Sequence, residues 1–423
     1  MDVAASLELS DETRVALAAL PPDVQQEVQR AVGQLLPEQM ELWDQLGGLR
    51  LEPALRHMAE WGAAPVALID ADFICRSGTK LPRRQDLPAE AFISLAELKD
   101  SLNEGGVVYG NSLNIIVVSH AWLQPDDPDP MGEKFERIAT VLRIFLDDVR
   151  AEHEGARIGV FFDFWSLHQK DASGERSEAE EALFGLSLDT MHIWYTSQNT
   201  IVLKLTELPV GYPDGYTFPA GVTPNMAPYS ERGWCFFESM ISAVSTRLVL
   251  DISKYDERRE STSLPRLLLD CESGRPAPLA PAQFRTALEA KVFTSRNADF
   301  DNVARLYEVG LREEYASVQE IRLNYLCWTD EEASTLANTL IEVGSCLQVL
   351  TLEQNQLTNH GAAALVEALA VGALPNCHTV ELYGNSIDQG MLDTLQSFLQ
   401  DRVLTEAGQR LVEAALGRAL RAA

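Results

Sequence analysis

The sequence predicts an α/β protein. A parallel sheet with helices on both faces is expected in the middle of the chain, with a helical segment before it and a short repeat array after it. Three observations predict this. Between about residues 110 and 255, continuous β-branched runs alternate with stretches of helical periodicity, the pattern of β-α-β units with buried strands. Residues 1 to about 62 carry helical spacing alone, and the last third repeats itself at intervals of 29 and 30 residues. The expected segments are 1–108 (helical), 109–255 (α/β), 256–316 (helix and loop connector), 317–402 (repeats) and 403–423 (closing helix).

In the first segment Pro21-Pro22, Pro37 and Gly47-Gly48 punctuate short helices, and Val24, Val28, Ala31 and Leu35 mark one apolar face. Ser94-Leu95-Ala96-Glu97 is a capping-box pattern that opens a further helix, and Gly105-Gly106 marks a boundary. Leu113 to Val118 then reads as a first buried parallel strand. After an Asp-Pro turn at 127–130, Phe135, Ile138, Leu142, Phe145 and Val149 fall at steps of three and four, as on an amphipathic helix. Ile158 to Phe162 is the second strand, about Ser177 to Tyr195 the next helical stretch, Ile201 to Leu205 the third strand, and Arg247 to Ile252 the fourth.

Composition narrows the function classes. The chain has 423 residues, is 46% hydrophobic and carries a net charge of −29 from 63 acidic and 34 basic residues. That balance argues against a nucleic-acid footprint or docking on anionic membranes, both of which need a basic face. No apolar run reaches the ~18 residues of a membrane span, and the first residues lack signal-peptide character. Six cysteines without a CxxC pair are expected as reduced thiols, in the cytoplasm. The scattered histidines form no metal-ligand pattern, and there is no GxxxxGK[ST] phosphate loop. Neither a metal site nor a tightly bound cofactor is expected. Asp126-Asp127-Pro128-Asp129 reads as a solvated turn.

The densest information lies in Tyr229 to Ile241. Ser230 is the expected N-cap of a helix, and Trp234, Phe237, Ile241 and Val244 form its buried stripe. Glu238 is the one ionisable side chain between Arg232 and Arg247 apart from the Cys235 thiol. It falls about 40° from Trp234 at the border of the stripe. A carboxylate placed there is either held by a backbone amide or an arginine, or employed in chemistry.

In an open parallel sheet, ligands sit beyond the carboxyl ends of the strands. Ser119-His120-Ala121-Trp122 follows the first strand, Asp163-Phe164-Trp165 the second, and the Trp234 helix the third. Each has a bland alternative: Asp163 as a cap, His120 as a loop residue, and Trp122, Trp165 and Trp234 as packing.

These features resemble the Toll/interleukin receptor (TIR) domain, a flavodoxin-like fold, through a second strand ending in Asp and a helix bearing Trp234-Cys235-Phe236-Phe237-Glu238. The resemblance covers about 110–255. It implies Glu238 as a catalytic carboxylate cleaving the nicotinamide–ribose bond of NAD, which would be a substrate. Ser119, His120, Trp122, Asp163, Trp165 and Trp234 would be the binding residues. Such cleavage passes through an oxocarbenium-like state that a carboxylate stabilises. The connection 207–228 is longer than is usual in the family, and the loop after Asp163 lacks its glycine.

In the last third, Ile321-x-Leu323, Leu350-x-Leu352 and Val380-x-Leu382 recur, with Asn355 and Asn385 three positions after the second apolar residue. Leu326 stands at that position in the first unit. This resembles ribonuclease-inhibitor-type leucine-rich repeats, which implies a surface for a protein partner. The alternative to an enzyme is a scaffold acting by self-association of the TIR-like domain and by repeat-mediated interaction.

Overall fold

A computed structural model describes residues 65–94 and 113–417, except 125, 153, 197–199, 219, 245, 247, 257–262 and 294–295. The expected helices of residues 1–62, the capping box at 94–97, the Gly105-Gly106 boundary and Arg247 lie wholly or partly outside the described residues. The chain forms two compact units, residues 1–226 with 250–271, and residues 227–249 with 272–423. No helix among the described residues is long and apolar enough to cross a membrane.

The first unit is built on a five-stranded mixed sheet. Its strands are β1 (Ile69–Asp70), β2 (Leu113–His120), β3 (Arg157–Phe161), β4 (Thr200–Leu205) and β5 (Leu248–Asp251), in the order β1-β3-β2-β4-β5. β2 pairs parallel to both β3 and β4. The all-parallel expectation is corrected at one edge, where β1 runs antiparallel to β3 with Ile69 opposite Val160. A two-residue strand carries no periodicity to betray it. β5 crosses the boundary between the units.

Helices follow the strands. α1 (Ala71–Ser77) is capped by the Asp70 carboxylate at the Asp72 amide, 2.9 Å. α2 (Glu133–Glu152) buries Phe135, Ile138, Leu142 and Phe145, the face set by the spacing of three and four. α3 (Asp163–Ser166) is a single turn. The stretch expected as one helix from Ser177 to Tyr195 is two, α4 (Glu178–Asp189) and α5 (Met191–Thr196). α4 opens on a capping box between Ser177 and Glu180, and all six residues of α5 are buried. In an open sheet of this kind the connections jump from one side of β2 to the other. The strand order therefore reverses between β2 and β4, the position at which such sheets bind ligands.

The second unit contains α6 (Gly233–Ser242), α8 (Pro281–Glu289) and α9 (Arg296–Ser317); α7 (Leu264–Cys271) belongs to the first. The Trp234 helix therefore falls with the C-terminal residues, although the sequence segments it with residues 109–255. Its N-cap is Arg232, with no side-chain cap bond, and not Ser230. Tyr229–Glu231 forms a 3₁₀ turn instead, fixed where Val292 N–H donates to Glu231 O (2.7 Å) and Gly233 N–H to Val292 O (2.9 Å). Gly233 is required because a Cβ there would lie 2.0 Å from the Phe293 ring.

Three short parallel strands, β6 (Glu320–Arg322), β7 (Val349–Thr351) and β8 (Thr379–Glu381), align Ile321, Leu350 and Val380 in register. Each leads to a helix: α10 (Asp330–Val343), α11 (Asn359–Ala370) and α12 (Gln389–Asp401), with α13 (Glu406–Leu416) closing the chain. Leu336, Leu340, Leu365 and Leu369 of the helices are buried. Asn355 accepts from Leu326 N–H (3.0 Å) and Trp328 N–H (3.1 Å), and donates to Leu323 O (2.7 Å) and Leu352 O (3.0 Å). It thereby ties one coil to the previous one, and Asn385 repeats the arrangement on Leu357 N–H, Leu352 O and Leu382 O.

Candidate functional site

At the carboxyl ends of β2 and β3 the structure joins three of the six predicted binding residues around one carboxylate. β2 continues through Ser119 and His120, so both stand on the ladder and not in the following loop: Ser119 pairs with Lys204 and His120 with Leu205. Ser119 is 0% exposed and His120 4%. The His120 ring stacks on Phe162, with centroids 4.2 Å apart, and Phe162 stacks on Trp165 at the same separation.

Asp163 opens α3 and gathers the hydrogen bonds of this cluster. His120 Nε2 lies 2.9 Å from its Oδ1, Phe164 N–H donates to Oδ1 (2.7 Å), and the Trp122 indole N–H donates to Oδ2 (2.5 Å). Burial works against the Asp163 carboxylate, but His120, Trp122 and the Phe164 amide outweigh it and hold its pKa below the ordinary value. Burial lowers the His120 pKa, and Asp163 only partly offsets the fall. At neutral pH the pair is a neutral imidazole beside an ionised carboxylate. Three hydrogen bonds commit Asp163 to joining two strand ends.

The loop after β2 is fixed from below. Lys134, 5% exposed, donates to Ala121 O and Pro128 O. Asp129 accepts from Lys134 N–H (3.2 Å) and Phe135 N–H (2.8 Å) at the start of α2. Asp129 is only 4% exposed. It is a buried helix cap, which corrects the reading of its turn as solvated.

On the other side of β2, the carboxyl end of β4 carries residues that the sequence reading passed over. Lys204 is 7% exposed. Thr206 Oγ1 donates to Asp251 Oδ2 (2.7 Å), Ser253 N–H donates to Asp251 Oδ1 (3.2 Å), and the Thr206 amide donates to Ser253 Oγ (2.9 Å). Arg137 from α2 clasps Ile252 O (3.1 Å) and Tyr255 O (2.9 Å). The available signal was a lysine inside Ile201-Val202-Leu203-Lys204-Leu205, a strand whose residues are all buried.

The other predicted residues, Trp234 and Glu238, belong to the second unit. Glu238 is 8% exposed, whereas Trp234 is half-buried and meets Phe237 edge-on, with centroids 6.0 Å apart. The sequence-based stripe holds at Phe237, Ile241 and Val244, all 0% exposed, and departs only at Trp234. Cys235, Phe237, Glu238, Met240 and Ile241 are buried, and Phe236 stacks on Phe284 (5.2 Å), which in turn stacks on Tyr307 (3.7 Å). The aromatic stack covers a side of the helix away from the apolar stripe.

Among the described residues, no group of three or more His, Cys, Asp or Glu side chains could hold a metal ion. No family model, no curated protein and no solved structure matches this chain, so its functional reading rests on its residues and their geometry.

Proposed function

We propose that this chain is a TIR-like signalling protein with leucine-rich repeats, which cleaves the nicotinamide–ribose bond of NAD through Glu238. The observation that carries the reading is a carboxylate, 8% exposed, on a ten-residue helix that holds no other acidic or basic side chain. A carboxylate in such a protein-lined setting is one whose environment can be tuned for chemistry. Beside a breaking N-glycosidic bond, it stabilises the positive charge that develops on the ribose. The strand order supports the fold reading: numbered from β2, the strands run 2-1-3-4, as in flavodoxin-like sheets. The coil-to-coil bonds of Asn355 and Asn385 support the repeat reading, and the repeats would bind a protein partner. Six free thiols suit a reducing cytoplasmic setting.

A second reading has its own support. Ser119 and His120 are buried, and Asp163 spends its oxygens on His120, Trp122 and Phe164. That arrangement suits a scaffold that signals by self-association of the TIR-like domain. Purified protein incubated with NAD separates the two readings. Nicotinamide release that Glu238→Ala abolishes supports the enzyme. A silent protein that assembles as its concentration rises, read by light scattering, supports the scaffold.

A further inference from the structure

We propose that Lys204 is a carbonyl-reactive amine at the switch point of the sheet, condensing with small aldehydes to form an imine. The position is the first observation. Lys204 stands near the carboxyl end of β4, in register with Ser119 of β2, where the strand order reverses and open α/β sheets accept ligands.

Its surroundings are the second. Lys134, the other buried lysine among the described residues, places its ammonium on the carbonyls of Ala121 and Pro128. Lys204 is as deeply buried, yet among the described residues its ammonium makes no hydrogen bond and no ion pair within 4 Å. Burial of a lysine side chain favours the neutral amine. Burial lowers the Lys204 pKa, Asp251 opposes the fall, and Lys254 adds to it. A desolvated lysine beside a second cation is the setting that makes an amine nucleophilic. Asp251 is held on this side of the strand by Thr206, two residues beyond Lys204.

The same neighbours select the ligand class. An anion would meet Asp251, 9% exposed, beside the amine. A neutral aldehyde avoids that repulsion and becomes a cation on condensation. The Lys204 nitrogen adds through its lone pair to the carbonyl carbon, and the carbinolamine takes up a proton and loses water. The C=N bond of the iminium is left with its positive charge near Asp251.

The test uses the full chain, glycolaldehyde and cyanoborohydride at pH 7 in short exposures, with mass-spectrometric mapping of the seven lysines. Lys204 should be alkylated severalfold faster than the exposed Lys170 and Lys254, because a lowered pKa raises the fraction of free amine at pH 7. Lys204→Arg, checked for folding by circular dichroism, should lose the fast incorporation seen in the intact mass. Labelling of Lys204 no faster than that of Lys170 in the native protein would overturn the proposal, as would fast incorporation retained by a folded Lys204→Arg. Should the variant fail to fold, the wild-type site map decides alone.

Discussion

Acidification should destabilise the first unit through His168, as through His120, before its carboxylates titrate. The His168 ring is 8% exposed, and neither of its nitrogens has a hydrogen-bond partner. Burial, then the Arg84 guanidinium, then Arg176 lower its pKa from 6.5 to about 4, while Glu180, 3.8 Å away, opposes them. Arg84 cannot move aside, because it donates to Pro65 O (2.5 Å) and Ser166 O (2.8 Å). The unfolded chain therefore takes up a proton below pH 6.5 that the folded chain refuses until about pH 4. Stability is complete above 6.5 and falls across that window. At ~1.4 kcal/mol per pH unit the whole loss is about 3 kcal/mol, of which about 2 kcal/mol has gone by pH 5. His168→Phe keeps a ring and removes the titration. Urea unfolding at pH 7.5 and 5, followed by tryptophan fluorescence, should show the wild type losing about 2 kcal/mol more than the variant. Equal losses in the two proteins would refute the argument.

Other substitutions test other parts of the account. Asn355→Ala removes four hydrogen bonds from a residue 6% exposed, and should cost about 3–4 kcal/mol of repeat stability in denaturant melts. Asn385→Ala, with three bonds on a less buried residue, should cost less. Trp122→Phe takes an indole donor from the Asp163 carboxylate and should cost about 1.5–3 kcal/mol, read by urea unfolding. Gly233→Ala drives a methyl into the Phe293 ring and should cost about 1–3 kcal/mol; Phe293→Leu should recover part of that loss in a double-mutant cycle.

Much of this architecture was legible because it is local. The steps of three and four from Phe135 to Phe145 set the buried face of α2, and the apolar pairs at 321, 350 and 380 set the register of the three-stranded sheet. What escaped depends on contacts distant in sequence. β1 is strand only because Ile69 meets Val160. The start of α6 is fixed by Val292, some sixty residues on, so a well-placed serine at 230 could not identify the cap. Glu238 is buried although its helical angle puts it at the border of the apolar stripe, and Phe236, on another side of the helix, enters a stack with Phe284 and Tyr307 that no local pattern announces. At the rim, residue types marked the right strand ends. They could not say that Asp163 would spend its oxygens on His120, Trp122 and Phe164, or that Lys204 would be buried at the end of its strand.

The central claim rests on one carboxylate, and one measurement addresses it most directly. The purified full chain is incubated with NAD, at dilute and at high protein concentration, and released nicotinamide is quantified beside Glu238→Ala and the isosteric Glu238→Gln. The account predicts release by the wild type and loss of about a hundredfold or more in both variants, the scale on which removal of a charge-stabilising group slows such a reaction, with folding unchanged in the glutamine variant. No release by the wild type at either concentration, or undiminished release by a folded Glu238→Gln, would contradict it.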